Sequence, residues 1–218
     1  MKKLITGIAI FLATALIGST AFAIEYDGDV QANLGIRITS LSSDESDETE
    51  SSGSLPTFGI ENYNLFKLND IFSAGFMESI SFGTPLFIDD DTSIKFLVGP
   101  AASAKLGSIV KFQAGAGLAI AKVKATSDEH EERHSAPFYR NYYNEYSFTG
   151  IGFGLDLQAK FLPQSKISPL VGFRYTYVTS GKFDIKAKAG SDTLAEASVD
   201  ETINANFINV YLGASYNF

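Results

Sequence analysis

Residues 130 to 134 read His130-Glu131-Glu132-Arg133-His134. Two histidines four residues apart on one helix face can hold a single zinc ion, and a glutamate beside the first can then take a proton from the metal-bound water. That chemistry needs a helix docked in a core, because a catalytic metal works only when its ligands are preorganised and partly desolvated. The flanks are Thr126-Ser127-Asp128-Glu129 and Ser135-Ala136-Pro137, which offer no apolar face. These are also the chain's only two histidines, so a third ligand would have to be a carboxylate from an undefined position. The spacing reads as chance in a charged loop, and no metal, cofactor or catalytic residue follows from it. Gly150, Gly152 and Gly154 do not form a phosphate cradle either, because the alternating run continues past them and no helix follows. No nucleophile and base stand together, so the sequence does not read as an enzyme.

The elements that would have to position any site begin after an export signal. Met1-Lys2-Lys3 is a short basic start, Leu4 to Gly18 is an apolar run, and Ala21-Phe22-Ala23 is a small-x-small cleavage site. Residues 1–23 are expected to be a signal peptide and residues 24–218 the mature domain. Removing Lys2 and Lys3 takes the formal charge from −8 to −10, an acidity that argues against a nucleic-acid partner. The chain has no cysteine, hence no disulfide framework and no thiolate metal site. After residue 23 there is no apolar run of the roughly 20 residues that a membrane-spanning helix needs. If the mature chain crosses a membrane, it does so as strands.

Strand periodicity is the dominant signal. Ile208, Val210, Leu212, Ala214, Tyr216 and Phe218 alternate with Phe207, Asn209, Tyr211, Gly213, Ser215 and Asn217. The same period recurs from 30 to 38, 94 to 102, 109 to 121, 148 to 161 and 170 to 177. The polar face repeatedly carries glycine in mid-strand, which weakens a soluble sandwich but suits the crowded inside of a narrow barrel whose apolar face meets lipid. The competing reading is a periplasmic β-sandwich. Connections alternate between short (68–70, 105–108, 162–168) and long (42–56, 84–92, 126–145, 183–204). Eight antiparallel strands are expected, near 29–41, 57–67, 71–83, 93–104, 109–125, 146–161, 169–182 and 205–218, as an all-β, up-and-down transmembrane barrel. Ser42 to Ser54 holds five carboxylates and is expected to be a solvated loop. Asn62, Asn64 and Glu78 break the apolar faces of the second and third strands, and a β-bulge would turn Glu78 inward. Aromatics at strand ends, among them Tyr146, Phe148, Tyr175, Tyr177 and Tyr216, are candidates for interfacial girdles.

The last strand, ending on Phe218 with Tyr216 two residues before it, resembles the terminal strand of bacterial outer-membrane barrels. Along its whole mature length the chain is similar to the small eight-stranded barrels in the size class of OmpX, OmpW and the OmpA transmembrane domain, and to small spirochaetal barrels. The resemblance implies location in the outer membrane, contact with its lipid, and reading of Tyr216 and Phe218 by the barrel assembly machinery. An OmpW-like barrel would be a narrow passive channel for small, including hydrophobic, molecules. An OmpX-like barrel would be closed, with external loops that contact an outside partner or surface.

Parity puts Arg37, Lys95, Lys111, Lys160 and Arg174 on the inner face against Asp156, with Glu61 and Glu78 as further candidates. These residues read either as a cationic pore lining for small anions or as an ion-paired plug, since eight strands leave room only for side chains. Phe207 and Tyr211 are expected to line an apolar entrance near the external side. With Arg37, Lys95, Lys111, Asp156 and Arg174 they make up the expected lumen lining. Passive transport is the leading expectation, and adhesion through the external loops is the alternative.

Overall fold

The computed structural model describes residues 25–43, 46–83, 92–126, 130–132, 140–189 and 192–218. The expected signal peptide and most of the 84–92 connection lie outside them. The strands are β1 (Asp29–Ser43), β2 (Ser46–Lys67), β3 (Phe72–Gly83), β4 (Thr92–Leu106), β5 (Val110–Thr126), β6 (His130–Glu132), β7 (Arg140–Phe161), β8 (Ile167–Ser180), β9 (Phe183–Ala189), β10 (Asp192–Val199) and β11 (Ile203–Asn217). Eight of them, β1, β2, β3, β4, β5, β7, β8 and β11, pair antiparallel in that order, and β11 pairs back onto β1. The sheet therefore closes on itself, and none of these eight is left as an edge along the ring.

Partner positions give the stagger of the ring. Starting at Val30 and moving from strand to strand through Asn62, Glu78, Val98, Leu118, Phe153, Tyr177 and Asn206, the path returns to β1 at Ser40, ten residues further along. A stagger of that size tilts the strands by roughly 35–45° and leaves an interior that side chains can fill. Tight turns join the strands at one end. Asn69 Oδ1 accepts hydrogen bonds from the backbone of Ile71 and Phe72, both at 2.8 Å, and Gly107 takes a φ of 66°. Both described termini lie at this end, which is the periplasmic side in an outer membrane.

The outward face is an apolar belt. Leu34 and Leu212 are each 67% exposed, Phe76 62% and Ile151 56%, so the largest hydrophobic side chains point away from the protein interior. A soluble sandwich would bury these residues between two sheets. The belt therefore marks a lipid-facing surface.

Three expectations need correction. First, segments read as loops carry strand: β2 starts at Ser46 inside the acidic tract, β6 and the start of β7 lie within 126–145, and β9 and β10 form a hairpin within 183–204. The upper part of β2 pairs with Thr39, Ser40, Leu41 and Ser43 of β1, and β9 extends the edge of β7 from Tyr142 to Phe148. A polar segment cannot build a core, but it can add backbone hydrogen bonds to a sheet edge already in place. Second, the β2–β3 and β3–β4 registers run without a shift, so Glu78 faces outward beside Asn62. The stagger path places these two residues one and two strands from Val30, near the periplasmic rim, where Glu78 is half-buried and Asn62 is fully covered. Third, Phe148 points inward and is 8% exposed, so it belongs to the core and not to a girdle. His130 to Glu132 form a strand and not a helix, so the zinc-binding helix geometry is lacking; His134 lies outside the described residues.

Candidate functional site

The inward faces fill the ring in three levels. At the periplasmic level, Asp27 and Asp29 meet three lysines. Asp27 pairs with Lys105 at 3.2 Å and Lys111 at 2.9 Å, and it accepts a hydrogen bond from Ser73 Oγ at 2.6 Å. Burial works to raise the Asp27 carboxyl, but Lys111, Ser73 and Lys105 outweigh it and hold the group below its ordinary value. Asp29 pairs with Lys160 and accepts from Gln31 at 2.6 Å and Gln113 at 3.0 Å. Lys160 also donates to Asn217 Oδ1 at 3.0 Å, and Asn217 Nδ2 donates to the Pro163 carbonyl at 3.3 Å, so the network reaches the 162–166 turn.

The middle level is built around Arg174. Its Nε donates to Asp156 Oδ2 at 2.8 Å and its Nη2 pairs with Glu61. Asp156 also accepts from Tyr63 at 2.8 Å and from Tyr211 at 2.9 Å, and Asn33 donates to Glu61 at 2.5 Å. The Arg174 guanidinium lies 5.5 Å from the Tyr211 ring centroid. Asp156 and Arg174 are direct partners on β7 and β8, whereas Glu61 and Tyr63 reach them from β2 across the interior. Backbone opposite Tyr211 makes room for its ring, since a Cβ on Gly172 would fall inside it.

The external level is different. Arg37 donates to Ser93 Oγ and, at 3.3 Å, to Ser81 Oγ, while Lys95 Nζ lies 4.6 Å from the centroid of the Phe207 ring. Phe207 continues into an apolar cluster with Phe148, Val178, Ala119, Ala121 and Ala205, against which Leu41, Val123, Phe183 and Ile203 pack. This cluster occupies the external mouth on the side where β5, β7 and β9 are tallest.

All seven residues expected in the lumen lining, Arg37, Lys95, Lys111, Asp156, Arg174, Phe207 and Tyr211, point inward and are at most 3% exposed. They divide among the three levels and do not form one continuous lining. Phe207 and Tyr211 do not flank an entrance: the first lies under the apolar cluster and the second donates into the middle network. Sequence reasoning passed over Tyr63, Asn33, Asp27 and Asp29. Tyr63 and Asn33 share parity with Glu61 and Gln31 and could have been found from it, whereas Asp27 precedes the first strand and carries no periodic signal.

On the outside, Tyr216 and Phe218 pack edge to face at 5.6 Å beside Tyr26 and Phe66, forming a periplasmic aromatic rim. Toward the other end Phe153 packs on Tyr175 and Tyr177, whose hydroxyls donate to Asn206 and Asn204 at 2.6 and 2.8 Å. Above this second rim the outer surface turns charged: Glu145 pairs with Lys124 at 3.0 Å and Lys188 at 2.6 Å, and Lys186 with Glu196 at 2.8 Å. The two rims bracket the membrane-embedded belt.

No family model and no curated protein matches the sequence. Among solved structures, a major outer membrane protein from Thermus thermophilus superposes with a TM-score of 0.51 at 11% identity, over 86% of this chain and 99% of that one. The attachment invasion locus protein Ail of Yersinia pestis gives 0.47 at 12% identity over 88% and 99%, and the outer membrane protease OmpT of Escherichia coli gives 0.38 at 10% over 92% and 100%. Likeness at this level speaks for the fold alone. The closed ring, its lipid-facing belt between two aromatic rims and the match to the Thermus outer membrane protein give this chain the fold of an eight-stranded outer-membrane β-barrel.

Proposed function

We propose that the protein is a closed, non-enzymatic barrel that works through its external surface, as a surface interaction or adhesion protein. The observation that carries this reading is the filled interior. Arg37, Arg174, Tyr63, Tyr211, Lys160 and Phe207 are the largest fully buried side chains, and all lie inside the ring. A passive channel, whether for hydrophobic molecules or for small anions, needs a continuous path, and the Arg174 network and the Phe207 cluster both stand across it. Of the two behaviours that the sequence resemblance implied, the closed OmpX-like one fits the geometry.

The external sheet supplies what an interaction protein needs. Every residue of β10 from Asp192 to Ser198 is exposed, and among the described residues β10 pairs only with β9. Among the described residues, the edge of β10 away from β9, from Thr193 to Val199, offers backbone donors and acceptors to which an extended segment of a partner can add. The test has two arms. Purified protein in planar bilayers is expected to be electrically silent, and a variant that joins Ser180 to Ile203 by a short turn is expected to lose binding to host cells or matrix while keeping its heat-modifiable migration on gels. Stable single-channel steps, or binding unaffected by loss of the hairpin, would reject the proposal.

A further inference from the structure

Charge does not balance through the upper two levels of the interior. The middle level holds one cation, Arg174, and two carboxylates, Glu61 and Asp156; the external level holds Arg37 and Lys95 and, among the described residues, no carboxylate. Among the side chains that the structure describes, three cations thus stand against two carboxylates in a space removed from bulk water. Burying an unpaired charge is costly, and proteins accept it only where something compensates.

The unused hydrogen-bonding groups differ between the two levels: at the middle one they are acceptors, Glu61 Oε2 and Asn33 Oδ1, and at the external one they are donors. Lys95 Nζ, Arg37 Nε and Asn209 Nδ2 are buried with no hydrogen-bond partner, and all three are donors. Arg37 and Asn209 are direct partners on β1 and β11. Lys95 is the partner of Ser81, whose hydroxyl already takes a hydrogen bond from Arg37. Asn209 Oδ1 is occupied by the Thr57 hydroxyl at 3.1 Å, which turns the amide so that its NH2 is the free end. Lys95 is 3% exposed and Arg37 and Asn209 are fully buried, so bulk water does not satisfy these donors. Orphan donors of this kind ask for a negatively charged acceptor. The site lies on the short side of the barrel, where β3 ends at Gly83 and β4 begins at Thr92, three residues from Lys95.

We propose that the external level of the interior is a binding site for one small monovalent anion of the halide class, held by Lys95, Arg37 and Asn209 beneath the face of Phe207. This inference does not rest on the interaction-protein reading, since a bound structural anion is compatible with any external partner. The anion completes the charge of the two levels and gives each orphan donor an acceptor. A single spherical ion suits donors that arrive from three strands, β1, β4 and β11, without a common plane.

The test uses the whole refolded protein. Crystals soaked in sodium bromide are expected to show an anomalous peak within hydrogen-bond distance of Lys95 Nζ. In zwitterionic vesicles the urea midpoint is expected to rise saturably as chloride replaces gluconate at constant ionic strength. In Lys95→Met that dependence is expected to vanish while heat-modifiability persists, because Met matches the length of the lysine stem and leaves no charge behind. A wild-type midpoint indifferent to chloride, a dependence unchanged in Lys95→Met, or bromide density absent from the site would each overturn the assignment; the bromide measurement stands even if the variant fails to fold.

Discussion

The middle and external levels of the barrel enclose the same kinds of residue but use them differently. Around Arg174, each charged group meets an opposite charge, and the two carboxylates also accept hydrogen bonds from Tyr63, Tyr211 or Asn33. Around Lys95, two cations share only serine hydroxyls and an aromatic face. A network in which every charge meets its opposite is the more rigid in low dielectric, while one whose cations have no counter-charge depends on what else is present. The contrast separates a permanent plug from a level whose stability varies with solution composition.

The largest effect that would break this comparison is expected at the centre. Arg174→Met leaves Glu61 and Asp156 buried without a cation, and loss of one partner from a buried ion network costs about 3–5 kcal/mol. Equilibrium urea unfolding in vesicles measures it, and adding Glu61→Gln and Asp156→Asn to the same chain should recover most of the loss. If Arg174→Met alone unfolds at the wild-type midpoint, the middle level is not a plug. Lys95→Met, by contrast, should be neutral or stabilising in halide-free buffer, because it removes a charge that has no partner there.

A smaller effect is expected from Gly172→Ala. The new methyl would occupy the space of the Tyr211 ring, which must then leave Asp156, and overpacking of this kind costs about 1–3 kcal/mol. The same substitution in a Tyr211→Ala background should cost much less, so a double-mutant cycle by urea unfolding isolates the contact. Equal losses in both backgrounds would show that Gly172 matters for a reason other than the ring.

The ring of strands was legible because period-two alternation is a local property. The eight expected segments match the eight barrel strands to within a few residues where apolar residues run to the strand end, as in β3 and β11. They fall short where a strand continues past the membrane, as in β2 and β7, because the outward residues there turn polar and the alternation fades. The β9–β10 hairpin was invisible for a related reason: β9 bonds onto β7 through its backbone and offers only Phe183 and Ile185 as an apolar signal, and β10 is exposed. Parity also identified which charges point inward, but not which meet. That depends on the ten-residue stagger, which sets the height of Glu61 on β2 against Arg174 on β8, and no single strand encodes it. Glu78 could be placed only once the register between β2 and β4 was seen to run without a bulge.

The smallest effect tests where the membrane-embedded barrel gives way to the external sheet. Glu145 sits on β7 opposite Lys186 of β9, with Lys124 on β5 and Lys188 on β9 both paired to its carboxylate. Burial pushes that carboxyl upward, but hydrogen bonds from Lys188 and Lys124, reinforced by their charges, hold it below the ordinary carboxylate value. A carboxyl depressed in the folded state contributes stability that is present above its unfolded value and disappears as pH falls through the folded one. Because the lysines are partly exposed, the contribution is under about 1 kcal/mol and is confined to the hairpin. Hydrogen exchange of β9 amides, followed from neutral pH down through the carboxylate range and corrected for the intrinsic pH dependence of exchange, should show protection falling on the acid side while the β1–β11 ladder stays protected. In Glu145→Gln the β9 protection should already be reduced at neutral pH and should lose the acid step attributable to this group. An acid step of undiminished size in that variant would mean that other groups hold β9 to the barrel, and the boundary between the two regions would then lie above Glu145.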